Sequence, residues 1–232
     1  MFAMGPAFFK QASPATSYAA TILADTPVAF WELNESSGTT AADYSGNAYN
    51  GTYTGTYTLG QPSIMPHGSG ASLELTGNGY VALPSVAALN ALNHPLSLEF
   101  WIKTSTPAST MSILNLGSNG SASQTLSNVS SQQLTFGYVN VVNNATSTTV
   151  LAANTTYHCV VTVDSGGNIT FYVNGTTAGT GTTSGNVGSG AGTIGIYAHT
   201  LANFPYTGYI QNVAVYDYAL TSTQVADHYA AG

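Results

Sequence analysis

Nine carboxylates, five imidazoles, two ammonium groups and one thiol are the ionisable side chains, tyrosines apart, that this chain offers to acid–base, metal or nucleophilic chemistry. Two-carboxylate glycoside hydrolysis needs a pair of acids on one side of a cleft. Glu32 and Glu35 stand at odd spacing, which puts them on opposite faces of an extended strand. Glu74 and Glu99 each stand alone. The expectation is therefore a protein that is not an enzyme, with no catalytic residues; a glycoside hydrolase would lack its acids. His67, His94, His158, His199 and His228 are scattered, and no Ser/His/Asp order, phosphate loop or His/Cys cluster with metal spacing stands out. His158 reads as a hydrogen-bonded strand residue. Cys159 falls in the stripe Tyr157, Cys159, Val161, Val163, the pattern of a buried inert thiol. A lone cysteine also leaves no intrachain disulfide.

With binding favoured over catalysis, aromatic side chains become the contact candidates. Tyr53 and Tyr57 lie four apart in the alternating run "GTYTGTYTLG" and share a face, with threonines on the other. Such rings stack on sugars while neighbouring hydroxyls donate and accept hydrogen bonds; core or edge packing is the alternative for the same pair. Tyr197 and Tyr206, near glycine- and proline-containing loops, are further glycan-contact candidates. Trp31 and Trp101 read as structural. Only 5% of the residues are charged, so solubility rests on Thr, Ser, Asn and Gly, a surface suited to glycans or to copies of itself. Two lysines, Lys10 and Lys103, cannot neutralise several phosphates, which excludes nucleic-acid partners and argues against anionic membranes. Eight Asn-x-Ser/Thr triplets carry little weight in so Ser/Thr-rich a chain.

"PVAFWELNE" reads as a strand followed by a long Ser/Gly/Asn turn. Leu73 and Leu75 are expected to form a hairpin with Tyr80–Leu83 about Gly77-Asn78-Gly79. "SVAALNALNH" predicts a helical turn. In "LSLEFWIKTS", Leu96, Leu98, Phe100 and Ile102 point one way and Ser97, Glu99, Trp101 and Lys103 the other. "TTYHCVVTVDSGGNITFYVNG" predicts two strands about Asp164-Ser165-Gly166-Gly167. The pair Thr221 and Gln224 has capping-box spacing and predicts a short C-terminal helix. About a dozen short strands with hardly any helix give an all-β sandwich.

At this point "ADTPVAFWELNESSGTTAADYSGNAYNGTY", "LSLEFWIKTS", "TTYHCVVTVDSGGNITFYVNG" and "YTGYIQNVAVYDYALTSTQVADHY", in that order, resemble the laminin G-like, concanavalin A-like jelly rolls. The resemblance runs from about Tyr18 to Gly232. It implies an all-β, two-sheet antiparallel jelly-roll sandwich of about six or seven strands per sheet, with first and last strands adjacent. It also implies a rim Ca²⁺ in many relatives. Here Asp43 in "DYSGN" matches the family position but also suits a turn cap, and Gln211 and Asn212 stand where relatives commonly carry Asp and Glu. The expectation is no cofactor, with Ca²⁺ as the alternative.

Residues 1–17, "MFAMGPAFFKQASPATS", form a separate stretch before the jelly roll of 18–232. They lack a basic n-region, and Gly5 and Pro6 interrupt their apolar part, so they do not read as a secretory signal. The reading is an extended N-terminal assembly arm, with Phe2, Phe8 and Phe9 docking on other virion subunits or a capsid shell, in a homo-oligomer such as a trimer; a disordered leader is the alternative. The expectation is a non-catalytic phage virion protein on the virion surface, a capsid decoration, head-fibre or tail-associated subunit with weak binding to a cell-surface glycan. The alternative is an extracellular carbohydrate-binding or adhesion module.

Overall fold

The alternating run from Leu96 to Thr104 becomes the central strand of a two-sheet sandwich. The protein is described as a computed structural model over residues 17–90, 92, 94–117, 125–138, 145–184, 190–196 and 204–232. Helix α1 (Tyr18–Ala24) comes first, followed by strands β1 (Ala29–Trp31), β2 (Thr40–Ala41), β3 (Gly51–Thr54), β4 (Tyr57–Pro62), β5 (Ala71–Leu75) and β6 (Tyr80–Ala82). The short helix α2 (Ala87–Asn90) leads to β7 (Leu96–Thr104), β8 (Met111–Leu116), β9 (Thr125–Ser130), β10 (Gln133–Tyr138) and β11 (Ala145–Thr146). Next come β12 (Thr155–Val163), β13 (Asn168–Val173), β14 (Thr176–Thr182), β15 (Thr193–Ile194), β16 (Gly208–Tyr216) and helix α3 (Ser222–Ala231).

Two antiparallel sheets of eight strands each result. The first runs β14-β13-β12-β7-β16-β5-β4, with β1 also on β16; the second runs β11-β10-β9-β8-β15-β6-β3-β2. The first and last strands are neighbours, Ala29 opposite Val215 and Trp31 opposite Val213. The expected hairpin about Asp164 forms as β12 and β13, with Val163 opposite Ile169. Phe100, Ile102, Cys159, Val161, Phe171 and Val213 are all buried in the core between the sheets. Burial also pushes the Cys159 thiol pKa well up, in keeping with an inert core residue.

The segment expected to be a hairpin about Gly77-Asn78-Gly79 is instead a crossing between sheets. β5 pairs with β4 and β16 in the first sheet, whereas β6 pairs with β3 and β15 in the second. The run read as one alternating strand through Tyr53 and Tyr57 likewise breaks at Gly55, and β3 and β4 lie in different sheets. These two crossings pack backbone on backbone. A Cβ on Gly55 would fall 2.3 Å from the Asn78 carbonyl oxygen, and one on Gly79 only 1.9 Å from that of Thr56. Gly55 also adopts φ +76°. The turn chemistry was legible; where the chain went next depends on the partner turn.

Both faces of β7 are buried, because the outer face of the first sheet carries its own cover. Trp101, Val160, Tyr172, Ala214 and Tyr216 on that face pack with Tyr18 and Ile22 of α1, Val225 of α3, and Met65. Helix α1 was not expected from sequence. Ser17, assigned to the leader, is its N-cap, the hydroxyl accepting from the Ala20 N–H at 3.3 Å. Tyr18 and Ile22, one turn apart, give it a buried stripe. Helix α3 opens with the anticipated capping box of Thr221 and Gln224.

Candidate functional site

Three of the tyrosines singled out as sugar platforms are described. Tyr206 is wholly buried in the core and its hydroxyl donates to the Tyr209 carbonyl at 3.2 Å, so its ring has no face to offer. Tyr53 is 3% exposed, with its hydroxyl on the Glu35 carboxylate. Its ring stacks on Tyr57 at 5.2 Å, but across two strands rather than along one. Tyr57 is half-buried against the same core. The pair therefore packs the crossing between sheets. Tyr197, and Phe2, Phe8 and Phe9 of the leader, lie outside the described residues.

The carboxylates are also placed differently from expectation. Strand β1 ends at Trp31 and Leu33 adopts φ +56°, so no pleat separates Glu32 from Glu35. Burial, followed by the Glu35 charge, raises the Glu32 pKa. Both acids are committed locally: Glu32 accepts from the Asn34 amide, and Glu35 accepts from the Ala42 N–H and the Tyr53 hydroxyl. Asp43 takes four hydrogen bonds of 2.9 Å, from the N–H groups of Phe30, Ser45 and Tyr49 and the Ser45 hydroxyl, the pattern of a turn cap. Gln211 accepts from the Ser63 hydroxyl and the Ile64 N–H, while Asn212 at φ +54° forms the bulge of β16. Among the described residues no group of three or more His, Cys, Asp or Glu side chains is arranged to hold a metal ion.

Glu99, alone in sequence, is the centre of a buried network that the fold assembles from five elements. Its Oε1 accepts from the Tyr18 hydroxyl at 2.7 Å and lies 2.8 Å from His158 Nε2. Its Oε2 lies 2.9 Å from His228 Nδ1 and accepts from the Tyr216 hydroxyl at 3.3 Å. The other nitrogen of His228 is 2.8 Å from Asp25 Oδ2 at the end of α1. Asp25 also accepts from the Gln224 amide, which ties the capping box into the same network. Burial alone would raise the Glu99 pKa, but hydrogen bonds from His158 and His228 and their charge outweigh it and hold the carboxyl well below its usual range. For His228 burial again opposes, and the two carboxylates win, so its pKa is raised. With Glu99, His158 and His228 wholly buried, no substrate reaches these atoms. The arrangement pins both helices to the sheet.

Among the described residues, the cover of α1 and α3 over the outer face of the first sheet lies about Trp101, and Thr156, Lys103 and Tyr209 beyond it are only partly buried. One cross-strand row runs Thr156, Lys103, Tyr209, Glu74 and Thr58 from β12 through β7, β16 and β5 to β4. Strand directions place all five on the face that Trp101 and Gln211 share. A groove of about 340 Å³ lies over the Thr156–Lys103–Tyr209 part of this row, lined also by Pro62, Ser63 and Ile64, with Glu74 the next residue of the row beyond Tyr209. Charge from Glu74, chiefly, raises the Tyr209 phenol pKa, so the hydroxyl stays a donor. Sequence reasoning found Lys103 only as a charge and Glu74 only as a lone acid. The register of four strand pairings was needed to bring them together.

Residues 75–226 match the family model described as the concanavalin A-like lectin/glucanases superfamily. Among solved structures, domain 4 of an extracellular arabinanase from Geobacillus stearothermophilus, in complex with arabinotriose, superposes with a TM-score of 0.65 at 20% identity, covering 88% of this chain and 98% of that one. The Trypanosoma rangeli sialidase in complex with sialic acid gives 0.64 at 16% identity, over 88% of this chain and 33% of the sialidase. The binding domain of botulinum neurotoxin DC in complex with SialylT gives 0.65 at 17% identity, over 90% of this chain and 52% of that domain. The chain thus spans about a third of the sialidase and half of the toxin domain. At these identities the likeness is one of fold. No curated protein sequence matches.

Proposed function

Since the chain belongs to the concanavalin A-like lectin/glucanases superfamily, we propose that it is a non-catalytic carbohydrate-recognition module whose contact surface is the open half of the first sheet's outer face. The observation that carries this is the groove over Tyr209, an aromatic ring set among Lys103, Thr156 and Ser63. An aromatic face with flanking polar groups suits a sugar, which is apolar on its C–H faces and polar at its rim. The solved structures of similar fold include proteins in complex with arabinotriose, sialic acid and SialylT, which supports the class of ligand. The non-catalytic reading rests on the acids: Glu99 is sealed, Glu32 and Glu35 are bound to their neighbours, and Glu74 has no partner acid in its row.

Glycan-array screening of the full chain, followed by calorimetry, tests the proposal. Binding without turnover is expected, and Tyr209→Ala should weaken it about fivefold or more, the worth of roughly 1 kcal/mol of aromatic stacking. Unchanged affinity in Tyr209→Ala would move the site elsewhere, and polysaccharide cleavage by the wild type would end the non-catalytic reading. A second reading concerns where the module is carried. The phenylalanine-bearing leader and the charge-poor composition favour attachment to a larger assembly such as a virion.

A further inference from the structure

Lys103 is the sole lysine or arginine among the described residues, in a chain whose formal net charge is −7. The ion pairs of the described residues are all made by His158 and His228, and Lys103 takes part in none of them. A chain that discards almost every cation and keeps one in a groove, unneutralised, leaves a local positive end in an otherwise negative molecule. Pro62 and Ile64 give the groove an apolar side beside Lys103. Tyr209 is the direct cross-strand neighbour of Lys103, and Glu74 the next one along. Two strand spacings separate Lys103 from Glu74, about 10 Å. Tyr209 stands between the two in the row, and Lys103 and Glu74 form no ion pair with each other.

Resting on the carbohydrate reading above, we propose that the groove selects saccharides that bear a carboxylate. The acid group sits on the Lys103 ammonium, a C–H face of the ring lies on Tyr209, and Glu74 and Thr156 accept from or donate to the ring hydroxyls. The row is polar in sense: Glu74 repels the acid group from its own end, so the ligand has one orientation. A neutral sugar makes the stack and the hydroxyl contacts but leaves Lys103 unused.

Calorimetry on the full chain with 3′-sialyllactose, trigalacturonic acid, lactose and arabinotriose tests this, and the two acidic probes tell a sialic acid from a uronic acid. Acidic probes should bind, and neutral ones should bind at least about tenfold more weakly, the worth of one charge-assisted contact. Lys103→Met, which keeps most of the stem, should lose that tenfold margin, while Lys103→Arg should restore it to within a few-fold. The methyl esters of the acidic probes make the same comparison on the unaltered protein, should Lys103→Met fold poorly. Neutral probes bound as tightly as acidic ones, or acidic binding untouched by esterification, would overturn the acidic selectivity and leave the carbohydrate reading standing. Binding of none of the probes, nor of any glycan on the array, would overturn both.

Discussion

Both ring nitrogens of His228 face carboxylates, Glu99 at 2.9 Å and Asp25 at 2.8 Å, and only the imidazolium can donate to both. The groups around it are Glu99 from β7, His158 from β12, Tyr216 from β16, and Tyr18 and Asp25 from α1. Because the His228 pKa is raised in the folded protein, its contribution is fully present below the usual 6.5 and drains away as pH rises through the raised value. Glu99 has the opposite sign: its pKa is lowered, so its contribution is present above the usual 4.5 and is lost as pH falls through the folded value. Melting temperature should therefore be highest between those two usual values and fall on either side. In His228→Gln the alkaline decline should flatten, and a decline as steep as wild type would show that another group causes it. Glu99→Ala strands His228 and two phenols and should cost about 3–5 kcal/mol in denaturant unfolding.

At the scale of elements, several local patterns carry through into the structure, whereas α1, with its local Ser17 cap, was not expected. The alternation of β7, the hairpin about Asp164 and the capping box of α3 each lie within a few residues of sequence. What could not be read depends on distant partners. Gly77-Asn78-Gly79 makes the same turn whether the chain returns to its own sheet or crosses to the other, and the choice is set by the close approach of the turn at Gly55. The Glu99 network joins residues 59 and 129 apart in sequence, which is why its members looked scattered. One sign was present: Trp101 on the nominally solvent face of β7 marks a face that something must cover, and α1 and α3 cover it. The crossing is testable. Gly79→Ala drives a Cβ against the Thr56 carbonyl and should destabilise by about 2–4 kcal/mol. Gly77, at φ +57° with open space around it, should accept Asn at a cost of roughly 0.5 kcal/mol or less. Equal effects of the two substitutions in thermal melts would mean that the packing of the two turns does not fix the crossing.

At the scale of the whole molecule, the proposed recognition role raises how so charge-poor a chain is held where it acts. The core clusters of the described residues begin at Tyr18, whose helix needs only Ser17 before it as a cap. We propose that residues 1–16, which carry Phe2, Phe8 and Phe9, serve attachment rather than folding. Three buried phenyl groups contribute on the order of 5–9 kcal/mol of gross hydrophobic stabilisation. Ordering each backbone residue costs about 1–2 kcal/mol, so a single extended arm does not hold on its own. Main-chain pairing to a partner strand, or several arms presented together by a symmetric oligomer such as a trimer, would supply the difference. The proposed sugar contacts through the Tyr209 groove would gain from the same multiplicity. Deleting residues 2–16 while keeping Ser17 should leave the melting temperature nearly unchanged, because the α1 cap and both clusters remain. The same deletion should abolish self-association in analytical ultracentrifugation, or attachment to purified virions, and reduce avidity on a glycan-coated surface without changing the affinity for a soluble monovalent sugar. If the truncated chain assembles as well as the full one, the leader is no anchor, and the module must be held by another surface.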